Sequence, residues 1–263
     1  MGDNRRVTPP LPPAALSVLG ACVFLAGAVD ALAGGGGLIT LPAYLAAGLN
    51  PALVLGTNKL SSCLGTAVAT IRYHRALKFS LKDFLPALAA AGLAAWLGAR
   101  AAVLVDPKWI RPLLLAALPV VAWLVWSRED FGWQDESPRF SPAERRRREI
   151  LVAAPVGAYD GFFGPGAGTF YALGFVRVCG CDLLGATARA KALNLLSNVA
   201  ALGAFILARR VDWRVGLPMA ALSVAGNWVG SHLGVKRGAA AIRPVVVLVC
   251  AGLFIKLLFD ALR

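Results

Sequence analysis

Charge is scarce in this chain. Asp, Glu, Lys and Arg make up 16% of its 263 residues, whereas a soluble domain carries about a quarter. Hydrophobic residues make up 58%, and the mean hydropathy is +0.66. No soluble core could hide that much apolar surface. Histidine is nearly absent: His74 and His232 stand singly at the ends of apolar segments, without the spacing of metal ligands. The five cysteines lie mostly inside apolar runs, where a thiol behaves as a small hydrophobe. Cys179-Gly180-Cys181 has the wrong spacing for a zinc pair, and no second pair accompanies it. No nucleophile motif, phosphate-binding loop or redox motif stands out, which argues against an enzyme and calls for no cofactor.

What is present is a series of apolar runs at roughly 14–33, 38–48, 52–73, 80–105, 109–127, 150–164, 167–178, 183–208, 214–234 and 240–262. Several reach the roughly 20 residues that cross about 30 Å of hydrocarbon as a helix. The expected class is an all-α, polytopic membrane protein. The net charge of +13 comes from Lys and Arg gathered in the short connections, as the positive-inside rule produces. That placement argues against nucleic acid as a partner. The run Arg145-Arg146-Arg147-Arg148 suits an anionic lipid surface instead. Met1 to Pro13 is short, polar and Pro-rich, and the apolar run behind it belongs to a repeat, so we read the segment as retained rather than as a cleaved signal.

The second set of runs repeats the first. Gly27-Ala28-Val29-Asp30 and Gly157-Ala158-Tyr159-Asp160 lie at an offset of 130. Lys59 and Lys191, like Trp96 and Trp228, lie at an offset of 132. The expected organisation is therefore a first transmembrane repeat over 1–127 with a short N-terminal tail, a polar basic linker over 128–149 and a second repeat over 150–263. Each repeat has a glycine-broken first helix or hairpin followed by three long helices. Topology reads two ways. If 14–33 crosses fully and 38–48 is a short surface or partly inserted piece, there are eight crossings and the halves are parallel. If 14–48 is a hairpin with the glycines at its tip, there are six crossings plus two hairpins and the halves are inverted. Basic residues in the loops nearly tie; a slight preference goes to the hairpin, since irregular backbone at depth is tolerated where it lines a cavity.

Helix breaks at matching positions in two apolar halves point to a transporter's binding site. Gly34, Gly35, Gly36 and Gly37 free backbone groups ahead of Leu38-Ile39-Thr40, and Gly164, Gly166, Gly168 and Thr169 do so in the second half. A helix N-terminus within a membrane offers unpaired donors and a positive dipole end to an anion. Close helix packing is the alternative use of such glycines. Asp30 and Asp160 lie inside apolar runs, where a carboxylate is costly and marks an ion or proton path or a buried pair. Beside an anion it would repel unless protonated, so proton coupling suits these two better than direct contact; capping of the broken helix is the other reading. Thr57, Asn58 and Lys59 open a long apolar helix, and Lys191, Asn194 and Asn198 share one helical face. Lys with amide and hydroxyl donors fits an oxyanion, although Lys59 and Lys191 could instead snorkel to the interface.

Gly34-Gly35-Gly36-Gly37-Leu38-Ile39-Thr40-Leu41-Pro42 followed by Gly56-Thr57-Asn58-Lys59 resembles the first-repeat signature of the TauE/SafE family of sulfite exporters, and Ala186-Thr187, Lys191, Asn194 and Ser197-Asn198 resemble the second. The resemblance covers essentially the whole chain. It implies a multi-pass secondary carrier of the bacterial inner membrane, moving a small anion such as sulfite, sulfoacetate or another organosulfonate by alternating access. The residues above would form the substrate site, with Asp30 and Asp160 coupling to H+. A passive anion channel, or a carrier of another small organic anion, is the alternative. A homodimer is an open expectation. Pro165 and Ala167 stand where the first half has Gly35 and Gly37, and Arg189 stands opposite Thr57 as either a substrate cation or a loop charge.

Overall fold

The computed structural model describes residues 11–77, 80–110 and 134–237, with 112, 113, 116 and 259 as isolated residues. The expected apolar runs at 109–127 and 240–262 lie almost wholly outside the described residues, as does Cys250. The described part is helical: α1 (Pro13–Ala33), α2 (Gly37–Ala46), α3 (Pro51–Leu77), α4 (Leu81–Leu104), α5 (Pro142–Phe162), α6 (Ala167–Arg177), α7 (Leu183–Leu207) and α8 (Trp213–Arg237), with 3-10 turns at Pro107–Trp109 and Ser137–Arg139. Among these, Pro13–Leu32, Lys82–Leu104 and Leu183–Leu207 are long and apolar enough to cross a membrane. Large apolar side chains such as Leu93, Leu97, Leu151 and Leu217 face outward, as they do on helices bathed in lipid.

Local chemistry sets the boundaries. Asp182 caps α7 by accepting from the Gly185 N–H, and Ser80 caps α4 by accepting from the Asp83 N–H. α5 starts earlier than its apolar run predicts, at Pro142 rather than near residue 150. The reason is a helix start written in polar residues. Ser141 accepts from the Glu144 N–H, Pro142 occupies the first turn, and the Arg145–Glu149 and Arg148–Glu144 pairs are spaced i,i+4. The arginine run belongs to a helix and not to a linker loop.

Helix directions follow from who touches whom. Gly226 abuts Phe24, Gly230 abuts Ala28 and Gly234 abuts Leu32, so α1 and α8 run parallel. Gly216 against Leu60 and Gly65 against Ser223 make α3 parallel to α8 as well. Lys59 meets Asn198 while Thr70 meets Lys191, so α7 runs against α3. α5 runs with α7, because Asp160 meets Ser197 while Glu149 faces Arg189. Gly157 against Ala91 and Gly161 against Ala95 align α4 with α5.

Two consequences follow. Since α1 and α3 point the same way, α2 must carry the chain back, so α1 and α2 form a hairpin. And since α1, α3 and α8 oppose α4, α5 and α7, corresponding helices of the two halves run in opposite senses. α2 is not a surface piece: Leu38, Ile39, Leu41 and Tyr44 are all fully buried. The first helix of each half packs on the last described long helix of the other, α1 on α8 and α5 on α4. Backbones cross closely there through glycine, as in membrane helix pairs generally. Arg72, Arg75, Lys82, the Arg145–Arg148 run, Arg177 and Arg189 collect at the end where α3 and α6 finish; Arg100, Lys108, Arg209, Arg210 and Arg214 lie at the other.

Candidate functional site

The two helix breaks meet. α1 stops at Gly34 and α2 restarts at Gly37; α5 stops at Phe162 and α6 restarts at Ala167. Both reversals use left-handed backbone, with φ of +73° at Gly34 and +99° at Gly35, and +96° at Gly164 and +77° at Gly166. A side chain would be strained there. Space also forbids one at Gly34, whose Cβ would lie 2.4 Å from the Gly168 carbonyl carbon. A Cβ on Gly37 would lie 3.4 Å from the Pro165 Cα. At the second tip the Tyr159 hydroxyl donates to the Pro165 carbonyl at 2.7 Å, and Pro165, which stands opposite Gly35, is not among the left-handed residues.

Behind the tips lies a small polar cavity of about 20 Å³. Gly35, Gly36 and Gly37 line it from one half and Gly164, Ala167 and Gly168 from the other. Side chains of Asp30, Asn58, Lys59, Asp160, Asn194 and Asn198 close it, with Ser62 and Thr66. The midpoint of α7, a candidate membrane span, falls near residue 195. Lys191, Asn194 and Asn198 therefore sit within about one turn of mid-depth.

Two ion pairs cross between the halves at this level. Lys59 Nζ on α3 donates to Asp160 Oδ1 on α5 at 2.6 Å and to Asn198 Oδ1 at 2.7 Å. The Ser197 hydroxyl donates to the other oxygen of Asp160. Lys191 Nζ on α7 pairs with Asp30 Oδ2 on α1 at 3.2 Å and also donates to the Asp30 carbonyl. Thr66 Oγ1 donates to Asp30 Oδ2 at 3.4 Å, and the Gly36 N–H donates to Asp30 Oδ1 at 3.3 Å. Lys59 and Lys191 are 3% and 1% exposed, so neither snorkels. The cluster holds two cations and two carboxylates. An unpaired charge at this depth would cost several kcal/mol, which is the physical reason for the pairing.

Several expectations change with this geometry. Asp30 and Asp160 lie in the cavity wall against the lysines and not behind it, because inverted halves bring the carboxylate of one to the ammonium of the other. Thr57 is turned away: its Oγ1 accepts from the Asp212 N–H at the start of α8. Thr40 supports the wall from behind by donating to Asn58 Oδ1 at 2.5 Å. Thr169 is buried beside Gly35, and Gly166 is the left-handed cap of α6. Arg189 donates to the Gly185 carbonyl in the first turns of α7 and does not reach the cavity. Ser62 and Thr66 were missed, although Asn58, Ser62 and Thr66 recur every four residues on one face. At the offset of 132 they correspond to Ala190, Asn194 and Asn198.

Comparison with known proteins places the chain among membrane transporters. The family model described as "Sulfite exporter TauE/SafE" matches residues 19–257. The chain is 39% identical over 245 residues to a "Probable membrane transporter protein ORF9" of Sinorhizobium sp, covering 93% of each. It is 39% identical over 258 residues to the "Probable membrane transporter protein YfcA" of Escherichia coli strain K12, covering 95% of this chain and 91% of that one. A "Probable membrane transporter protein" of Haemophilus influenzae is 34% identical over 245 residues, covering 93% of this chain and 95% of its own. No solved structure matches the chain significantly.

Proposed function

The chain belongs to the TauE/SafE family of membrane transporters, and on that premise we propose that it carries a small sulfur oxyanion or organosulfonate across the bacterial inner membrane, together with H+. The observation that carries this reading is the pair of inter-half Lys–Asp contacts around a cavity lined by two glycine tips. An anion entering there takes over from a carboxylate as counterion of a lysine. Protonation of that carboxylate keeps the buried cluster neutral, so one proton accompanies each negative charge. Asn58, Asn194 and Asn198, with the helix N-termini behind Gly36 and Gly168, supply donors to the substrate oxygens.

The cavity is small, about 20 Å³, and in this reading the substrate enters it as the tips part. Both ion pairs and the Gly34–Gly168 contact span the two halves, so parting them moves one half against the other, which is alternating access. The more basic end, carrying the Arg145–Arg148 run, faces the cytoplasm in this reading and meets anionic lipid there.

Binding to the purified protein tests the substrate class. Sulfite, thiosulfate, sulfoacetate, taurine and aromatic sulfonates are to be compared at acidic and neutral pH by thermal stabilisation. At least one anion should stabilise, and more strongly at acidic pH; stabilisation by cations or neutral solutes alone would exclude the reading. Uphill accumulation of the same anion in proteoliposomes under a pH gradient separates a carrier from a channel. Gly36→Leu adds a further check. Its Cβ would meet the Asp30 Cβ at 2.8 Å and the Ala26 carbonyl at 2.9 Å, with the rest of the side chain filling the cavity. Transport should be lost while insertion, judged by membrane yield, persists.

A further inference from the structure

The two ion pairs occupy corresponding positions, but they are not built alike, and we infer that only Asp30 takes up and releases the coupling proton while Asp160 stays ionised as a fixed counterion. This rests on the proton-coupled reading above. Asp160 is 2% exposed, meets Lys59 at 2.6 Å and accepts from Ser197. Asp30 is 13% exposed at its side chain, meets Lys191 at 3.2 Å, and its other donors stand at 3.3 and 3.4 Å. Charge-assisted hydrogen bonds weaken with such lengthening. Asp30 is thus the more loosely held and the more exposed of the two carboxylates.

The consequences of protonation differ too. Each lysine keeps a neutral acceptor when its carboxylate loses its charge, the Asn198 amide oxygen for Lys59 and the Asp30 main-chain carbonyl for Lys191, so the difference lies at the glycine tips. Asp30 also holds the Gly36 N–H, so its protonation loosens the tip of its own hairpin. Among the described residues, no hydrogen bond links Asp160 to the second glycine tip. Titration of Asp30 is thus tied to the moving part.

The packing around Asp30 breaks the pseudo-symmetry in the same direction. On α8, Ser223, Asn227 and Ser231 are all buried and recur every four residues; their counterparts on α4 are Ala91, Ala95 and Ala99. Asn227 lies against Gly27 and Gly65, next to the α1 turn that carries Asp30 and to Thr66, and its side-chain carbonyl has no partner. A buried orphan acceptor calls for water. The groups that face Asp30 are Lys191 from α7, Thr66 and Tyr73 from α3 and, across the cavity, Lys59 and Asp160; the α8 residues nearest its turn, such as Asn227 against Gly27, are uncharged. Neither α2 nor α6 brings a charge to it.

Infrared difference spectroscopy of the purified, substrate-free protein on acidification tests this without reference to transport. Above the C=O bands that the other carboxyl groups give in every variant, the buried Glu149 among them, one protonated-carboxyl C=O component is expected in the wild type, missing from Asp30→Asn and retained in Asp160→Asn. Asp30→Asn proteoliposomes should lose pH-gradient-driven accumulation of labelled sulfite down to the empty-vesicle level. Retention of that component in Asp30→Asn overturns the assignment, and so does its loss in Asp160→Asn. If Asp160→Asn does not fold, wild type against Asp30→Asn decides. If that component behaves as expected but the wild type moves no sulfur anion, the substrate reading fails and the proton assignment stands.

Discussion

Asp160→Ala should lower stability by about 3–5 kcal/mol, the usual cost of stranding one member of a buried ion pair. Lys59 is 3% exposed and, among the described residues, pairs with the carboxylate of Asp160 alone; without it a cation remains at mid-depth with one amide oxygen. Thermal unfolding in detergent measures the loss. Replacing both partners, Lys59→Met with Asp160→Leu, should restore much of the stability, because two apolar side chains of similar size leave no unpaired charge and only the Asn198 amide oxygen loses its donor. Transport should remain absent in the double variant. A single alanine variant that unfolds at the wild-type temperature would show that Lys59 draws no stability from Asp160.

Gly161→Leu should prevent correct assembly of the second half on the first. A Cβ at residue 161 would lie 1.9 Å from the Ala95 carbonyl oxygen and 2.6 Å from the Ala95 Cα, which are backbone atoms that cannot rotate away. Helices α4 and α5 must separate to admit it. The cost therefore lies at or above the roughly 3 kcal/mol upper end of ordinary overpacking. Gly203 provides the control, since nothing stands within 4 Å of its Cβ direction; Gly203→Leu should insert and unfold like the wild type. Yield of monodisperse protein in detergent compares the two. Equal yields would mean that the α4–α5 crossing is not the close contact described.

Much of the architecture was legible from composition and spacing. Glycine and proline at matching positions mark breaks because glycine favours left-handed backbone and proline lacks the N–H that a helix bonds, and both breaks occur where expected. The start of α5 was legible too but was overlooked. Apolar length draws the eye past a helix beginning, while Ser141, Pro142 and Glu144 encode one in capping chemistry. Ser62 and Thr66 could have been found from the four-residue period that Asn58 begins. The pairing of Lys59 with Asp160 could not. A lysine that reads as an anion site by its own surroundings becomes one half of an ion pair only when a residue 101 positions away is brought beside it.

The sequence by itself determined the class, the helix breaks and the candidate polar residues, because hydropathy, backbone freedom and side-chain chemistry are local properties. The sense in which the halves face each other belonged to the tertiary structure. It follows from which helix faces can approach closely, glycine against alanine in α4–α5 and glycine against the α1 backbone in α1–α8. That inversion turned two isolated lysines and two isolated carboxylates into a neutral cluster shared between halves. It also made one pair looser than the other, a difference that depends on buried neighbours from three separate helices and that no spacing along the chain encodes.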